Sequence, residues 1–135
     1  MGTIRKFEEL EAWKHARILV QEVYSITAKG SFSKDFGLLD QIRRSSVSIM
    51  ANIAEGYERD GTSEFIHFLS IAKGSAGEVR CHLYIARDQD YLNEEKFDAL
   101  LAMTQQVSRI IRGLITYLQK TDLKGNKFKS PKLET

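Results

Sequence analysis

Apolar residues recur at three- and four-residue spacing along almost the whole chain, and no segment alternates in the manner of a β-strand. That periodicity predicts helices throughout. A first helix is expected from about Glu8 to Thr27, with Leu10, Trp13, Ala16, Val20, Val23 and Tyr24 as its apolar face. The segment "AKGSFSKD" interrupts it with Gly and Ser. A second helix runs from about Phe36 to Arg59 and stops at "RDGT", where Gly61 suits a helix C-terminus. A third, about Ser63 to Asp88, has a core stripe of Phe65, Phe68, Leu69, Ala72, Ala76, Val79, Leu83 and Ala86. After "DQDYLN", Asn93 can cap a fourth helix whose first turn holds Glu94 and Glu95, charges favoured at that end. Its apolar face is Phe97, Leu100, Leu101, Thr104, Val107, Ile111, Leu114, Ile115 and Leu118. Four long helices with short connections favour antiparallel neighbours. The expected fold class is all-α, an antiparallel up-down-up-down four-helix bundle over residues 1–121. From Asp122, "DLKGNKFKSPKLET" loses the period and contains the only proline, so 122–135 reads as a flexible basic tail.

Composition narrows the class of molecule. With 135 residues, 42% apolar and 28% charged, the chain has the make-up of one soluble domain. No apolar run approaches the ~20 residues of a membrane span. The opening "MGTIRKFEELEAW" puts charges where a secretory leader has its apolar core. The single Cys81 excludes an internal disulfide and fits a reducing, cytoplasmic setting. The net charge of +2 is unevenly spread. From Lys120 onward five lysines face two acids, whereas the remainder carries 15 basic and 16 acidic residues. The body therefore lacks the basic surplus typical of a nucleic-acid-binding domain.

The stretch "RRSSVSIMANIAEGYER", residues 43–59, gathers polar residues inside the second helix. At about 100° per residue, Gln41, Ser45, Ser48, Asn52, Glu55 and Arg59 form one polar stripe. Leu39, Ile42, Ser46, Ile49, Ile53 and Tyr57 form an apolar stripe beside it, and Val47, Met50, Ala51 and Ala54 widen that arc. Arg43 falls inside the arc, which predicts a paired or snorkelling arginine. Counting outward from the turn at Gly61 sets Ser45, Ser46 and Ser48 level with Gly74, Ser75, Ala76 and Gly77 on the third helix. A glycine inside a helix costs about 1 kcal/mol relative to Ala, so close approach of two backbones is expected there. The same counting puts Arg44 near Glu78, Asn52 near Ser70 and Glu55 near His67. An ion pair from Arg43 or Arg44 to Glu78, in the same or a neighbouring chain, is expected. The third helix also carries a second stripe of His67, Ile71, Gly74, Glu78, Cys81 and Ile85. With Ile66 and Tyr84 it argues for a subunit interface.

Enzymatic and metal chemistry find little support. His67 and His82 stand 15 residues apart on one helix, about 22 Å, too far to share an ion. No Glu-x-x-His pair repeats as a di-iron bundle requires. "AKGSAGE", residues 72–78, has its lysine ahead of the glycines and no strand before it, so it is not a phosphate loop. Ser75 is not in a Gly-x-Ser-x-Gly elbow. Glu55 with His67 offers an acid/base pair on paper, but such histidines are more often structural. No catalytic residue, cofactor, metal or small-molecule substrate is expected.

"FEELEAWKHARILVQEVY", "FGLLDQIRRSSVSIMANIAEGYER" and "FIHFLSIAKGSAGEV" resemble successive segments of the bacterial four-helix-bundle proteins encoded in intervening sequences of 23S ribosomal RNA genes. The distinctive run is Asn52 to Gly56, with Gln41 to Arg44 before it and Gly74 and Ser75 after it. The likeness covers about Phe7 to Leu118, and departs from the common pattern at Ser45 (usually Ala) and Met50 (usually Pro). It implies ring-shaped homo-oligomers, pentamers among relatives, and a kinship to the nucleic-acid-binding accessory protein of diversity-generating retroelements. It implies no enzymatic activity. The resulting expectation is a non-enzymatic oligomeric binding protein whose partner is RNA or a ribonucleoprotein. Its phosphate contacts would be Arg17, Arg80, Arg87, Arg109, Arg112, Lys124, Lys127, Lys129 and Lys132. The alternative is a protein-interaction scaffold that binds no nucleic acid.

Overall fold

The first helix starts later than its apolar pattern suggests. In the computed structural model, which describes residues 3–123, Leu10 is extended (φ −69°, ψ 131°) and its side chain is buried. It separates a short 3-10 turn, Phe7–Glu9, from helix α1, Glu11–Thr27. The buried stripe of α1 is Ala12, Ala16, Leu19 and Val23, about one residue step around from the expected face. Leu19 is fully buried, whereas Val20 is only half-buried and Tyr24 is exposed.

The Gly/Ser interruption after α1 is itself ordered. Gly30, at φ +57°, opens a second 3-10 turn, Gly30–Lys34, which drives Phe32 into the core. Asp35 then caps helix α2, Phe36–Glu58, its Oδ1 accepting the Leu38 N–H at 3.1 Å. The other carboxylate oxygen of Asp35 accepts the Tyr91 hydroxyl at 2.9 Å, and the Tyr91 ring stacks on Phe32 with centroids 5.2 Å apart. That bond to a carboxylate raises the Tyr91 phenol above its ordinary pKa, with smaller contributions from desolvation and the nearby Asp35 charge. Helix α3, Thr62–Asp88, follows the turn at Gly61, and helix α4, Glu94–Leu123, follows Asn93. Asn93 caps α4 as expected, with its Oδ1 accepting the Lys96 N–H at 2.7 Å.

The described residues thus form a four-helix bundle without strands. Helix α2 packs on α3, α3 on α4, and α1 lies against both α2 and α4. Ile42, Ile49, Ile53, Phe65, Leu69, Leu83, Leu100 and Ile111 meet in the core at 0–1% exposure. On α4, Phe97, Thr104, Val107 and Leu118 are buried, while Leu101, Leu114 and Ile115 pack at its margin. Helices α2 and α3 run antiparallel, because contacts advance along one as they recede along the other. Gly56 meets Phe65 and Phe68, Ser48 meets Ser75, and Ser45 meets His82.

The glycine argument holds at a different residue from the one expected. Gly74 and Gly77 are exposed, and a Cβ on either would touch nothing within 4 Å. The tight approach is at Gly56, where an added Cβ would stand 2.7 Å from the Phe68 Cβ and 3.3 Å from the Phe65 carbonyl oxygen. Both contacts are stiff, one with a side-chain root and one with backbone. The Gly56→Ala variant should therefore lose about 1–3 kcal/mol from overpacking. Gly74→Ala should gain about 1 kcal/mol from helix propensity. Urea unfolding midpoints of the two variants should move in opposite directions, whereas a loss in Gly74→Ala would show that a second chain packs on that surface.

Candidate functional site

The polar stripe of α2 becomes a hydrogen-bonded seam against α3. At its centre Ser48 Oγ lies 2.9 Å from Ser75 Oγ, and Asn52 Nδ2 donates to both Ser48 Oγ (3.0 Å) and the Ser48 carbonyl (2.9 Å). One turn earlier, Ser45 Oγ donates to the Gln41 carbonyl at 2.9 Å and lies 3.2 Å from His82 Nδ1. That pattern suits a neutral imidazole carrying its proton on Nδ1. Ser46 returns its hydroxyl to the Arg43 carbonyl at 3.0 Å. Small side chains let the two helices approach, and each hydroxyl has a partner, the buried Ser45, Ser46 and Ser75 as well as the half-buried Ser48.

His82 was set aside in the sequence because it cannot share a metal with His67. Its role in the seam was legible another way: it lies seven residues after Ser75, on the same face of α3. Desolvation lowers the His82 pKa below its usual value, and the nearby Glu78 charge opposes that shift.

Arg43 behaves as a partnered, half-buried arginine, but its partners lie on α1. Its Nε donates to Thr27 Oγ1 at 2.8 Å, and its guanidinium carbon sits 4.5 Å from the centroid of the Tyr24 ring. Thr27 is fully buried and passes its own proton to the Val23 carbonyl at 2.7 Å. Arg44 pairs with Asp40 at 2.9 Å on its own helix. The expected ion pair with Glu78 is therefore not formed within the chain: one arginine is drawn to α1, the other to the nearest carboxylate, and Glu78 is exposed. Neither are Glu55 and His67 an acid/base pair. Glu55 accepts from Arg59 at 2.9 Å, while the exposed His67 packs edge-on against Phe68 at 5.5 Å.

The proposed phosphate contacts divide into three groups. Arg80, Arg109 and Arg112 are exposed, as is Arg17, which lies over the Trp13 ring. Arg87 is half-buried against the Tyr84 and Phe97 rings, 5.2 and 4.3 Å from their centroids, and 3.9 Å from Glu94. It joins α3 to α4 more than it faces outward. Lys124, Lys127, Lys129 and Lys132 lie outside the described residues. On α3, Ile71, Tyr84 and Ile85 are 39–44% exposed, but Ile66 is half-buried against the core. Among the described residues no three His, Cys, Asp or Glu side chains gather into a metal-binding group, and no helix is long and apolar enough to cross a membrane.

A four-helix protein whose serines and histidine link α2 to α3 is thereby defined as a packing-built bundle. The family model for the 23S rRNA-intervening sequence protein matches residues 8–113, and the chain belongs to that family. Its fold is similar to the crystal structure of a protein of unknown function from the S23 ribosomal protein family of Bacteroides thetaiotaomicron VPI-5482. The TM-score is 0.71 at 22% identity, over 77% of this chain and 97% of that one. No curated protein matches.

Linkage gives the seam a pH signature. The folded His82 pKa lies below the unfolded value of about 6.5. Below that value the unfolded chain binds more protons, so the stability of the neutral histidine is complete above pH ~6.5 and falls as the pH drops towards the folded pKa. Urea midpoints measured from pH 7.5 to 5 should decline, and His82→Gln should decline less steeply. A second variant isolates the serine pair: a double-mutant cycle of Ser48→Ala and Ser75→Ala should return a coupling of about 0.5–1.5 kcal/mol.

Proposed function

We propose that this protein is a non-enzymatic, oligomeric binding protein that associates with RNA or a ribonucleoprotein in the cytoplasm. Its subunit is an up-down-up-down bundle, and copies of it close into a ring, by family likeness a homopentamer. The observation that carries the reading is the outward placement of Arg80, Arg109 and Arg112 on α3 and α4. Charges so placed can meet phosphates without reading base sequence. The name of the family, which ties its genes to 23S rRNA, agrees with an RNA partner. Assembly is supported by exposed Ile71, Tyr84 and Ile85, apolar side chains on a helix already buried along its other face. No cofactor, metal or small-molecule substrate enters this function.

A scaffold that binds protein alone is the second reading, favoured by the same exposed apolar residues. Salt separates the two, because phosphate contacts release counterions and apolar docking does not. Full-length protein titrated into a fluorescent single-stranded RNA should bind with a log–log salt slope of about −0.7 per phosphate contacted. Combined Arg80→Gln, Arg109→Gln and Arg112→Gln should shallow that slope by about two units, with the assembly mass by light scattering unchanged. Salt-independent binding, or none at low salt, would leave only the scaffold.

A further inference from the structure

The groove between α1 and α2 stands apart from the arginines of α3 and α4. It has a volume of ≈ 530 Å³, within the range of small-ligand sites, and is lined by Tyr24, Leu39, Asp40, Arg43, Arg44, Val47 and Ser48. The lining holds two guanidinium groups and one carboxylate. Asp40 is already engaged by Arg44 at 2.9 Å, so the lining keeps one positive charge.

That charge is held by neutral partners. The Arg43 Nε–H goes to Thr27 Oγ1 at 2.8 Å, and Thr27 is fixed in turn by its bond to the Val23 carbonyl. Nε is the inner corner of the guanidinium, and its use leaves the terminal N–H groups as a pre-set fork of the kind that grips phosphate oxygens. Beside it stand an aromatic ring and an aliphatic wall, Tyr24 at 43% and Val47 at 40% exposure. Tyr24 is already in cation–π contact with Arg43, so ring and fork are positioned together.

We propose that this groove binds a phosphate bearing a planar ring, that is, a nucleotide, free or as one residue of single-stranded RNA. The phosphate sits at the fork of Arg43 with Arg44 beside it, and the base packs on Tyr24 and Val47. A chain whose body has no basic surplus would recognise such a ligand by this local set of side chains rather than by its overall field. Only the RNA form of the proposal rests on the function proposed above.

The test uses the isotope-labelled full chain, observed by NMR at the Arg43 Nε–H and the Val47 methyls. Uridine 5′-monophosphate should move both signals, whereas uridine should leave the Arg43 signal in place. Inorganic phosphate should move the Arg43 signal and not that of Val47. A ten-residue oligo-uridine should reproduce the shifts of the monophosphate. Tyr24→Leu should weaken binding about tenfold through lost stacking, and Val47→Glu, at an exposed position, should abolish it by repulsion without touching the Thr27 bond. RNA binding with the groove signals unmoved and both variants at full affinity overturns the groove and leaves the RNA reading standing. Monophosphate binding without oligonucleotide binding supports the groove for free nucleotides and overturns the RNA reading. No shift with any of these phosphates overturns the groove, and absence of oligo-uridine binding by any probe overturns the RNA reading separately.

Discussion

The α2–α3 contact at Gly56 sets the register on which the polar seam depends. With no side chain there, the α2 backbone comes up against Phe65 and Phe68 close to the Gly61 turn. Because the helices run antiparallel from that point, Ser48 falls opposite Ser75 and Ser45 opposite His82. A shift by one residue would rotate each hydroxyl by about 100° away from its partner. It would also part the buried Ser75 and His82 from their α2 partners, at roughly 1–3 kcal/mol each. The seam is thus a register lock, and packing and hydrogen bonding enforce the same alignment.

The charged residues follow a second division of labour. Arg43, Arg59 and Arg87 are each held against an aromatic ring as well as a polar or acidic partner, and they join neighbouring helices or turns. Arg80, Arg109 and Arg112 point to solvent on α3 and α4. Counting basic residues in the chain treats these groups alike. Their surroundings separate cations tied to neighbouring rings and polar groups from cations that face solvent alone.

Much of this organisation was legible from spacing. The four helices fell within a few residues of their expected limits, the Asn93 cap was found, and the level of Ser48 with Ser75 followed from counting about Gly61. What escaped has physical causes. Leu10 continues the apolar period yet leaves the helix, because burial constrains the side chain without requiring a helical backbone. Arg43 or Arg44 was expected on Glu78, but sequence spacing carries no information on how far α1 leans over α2, where Thr27 takes Arg43, while Asp40 takes Arg44. Glycines 74 and 77 looked like a contact surface because a glycine's cost in a helix is visible in sequence, while what stands opposite it is not. Ser45 proves to be the hydroxyl that meets His82.

The two connections at one end of the bundle share a single carboxylate. Asp35 caps α2 with one oxygen and receives Tyr91, just before α4, with the other, while Phe32 and Tyr91 stack alongside. Neither connection can let go without stripping the other of a partner, so this end behaves as one cooperative opening unit rather than as two independently fraying loops. Amide exchange at the start of α2 and at the start of α4 would then share one opening free energy. The opposite end, where Gly61 makes the turn with no side-chain cap, is left to open by itself.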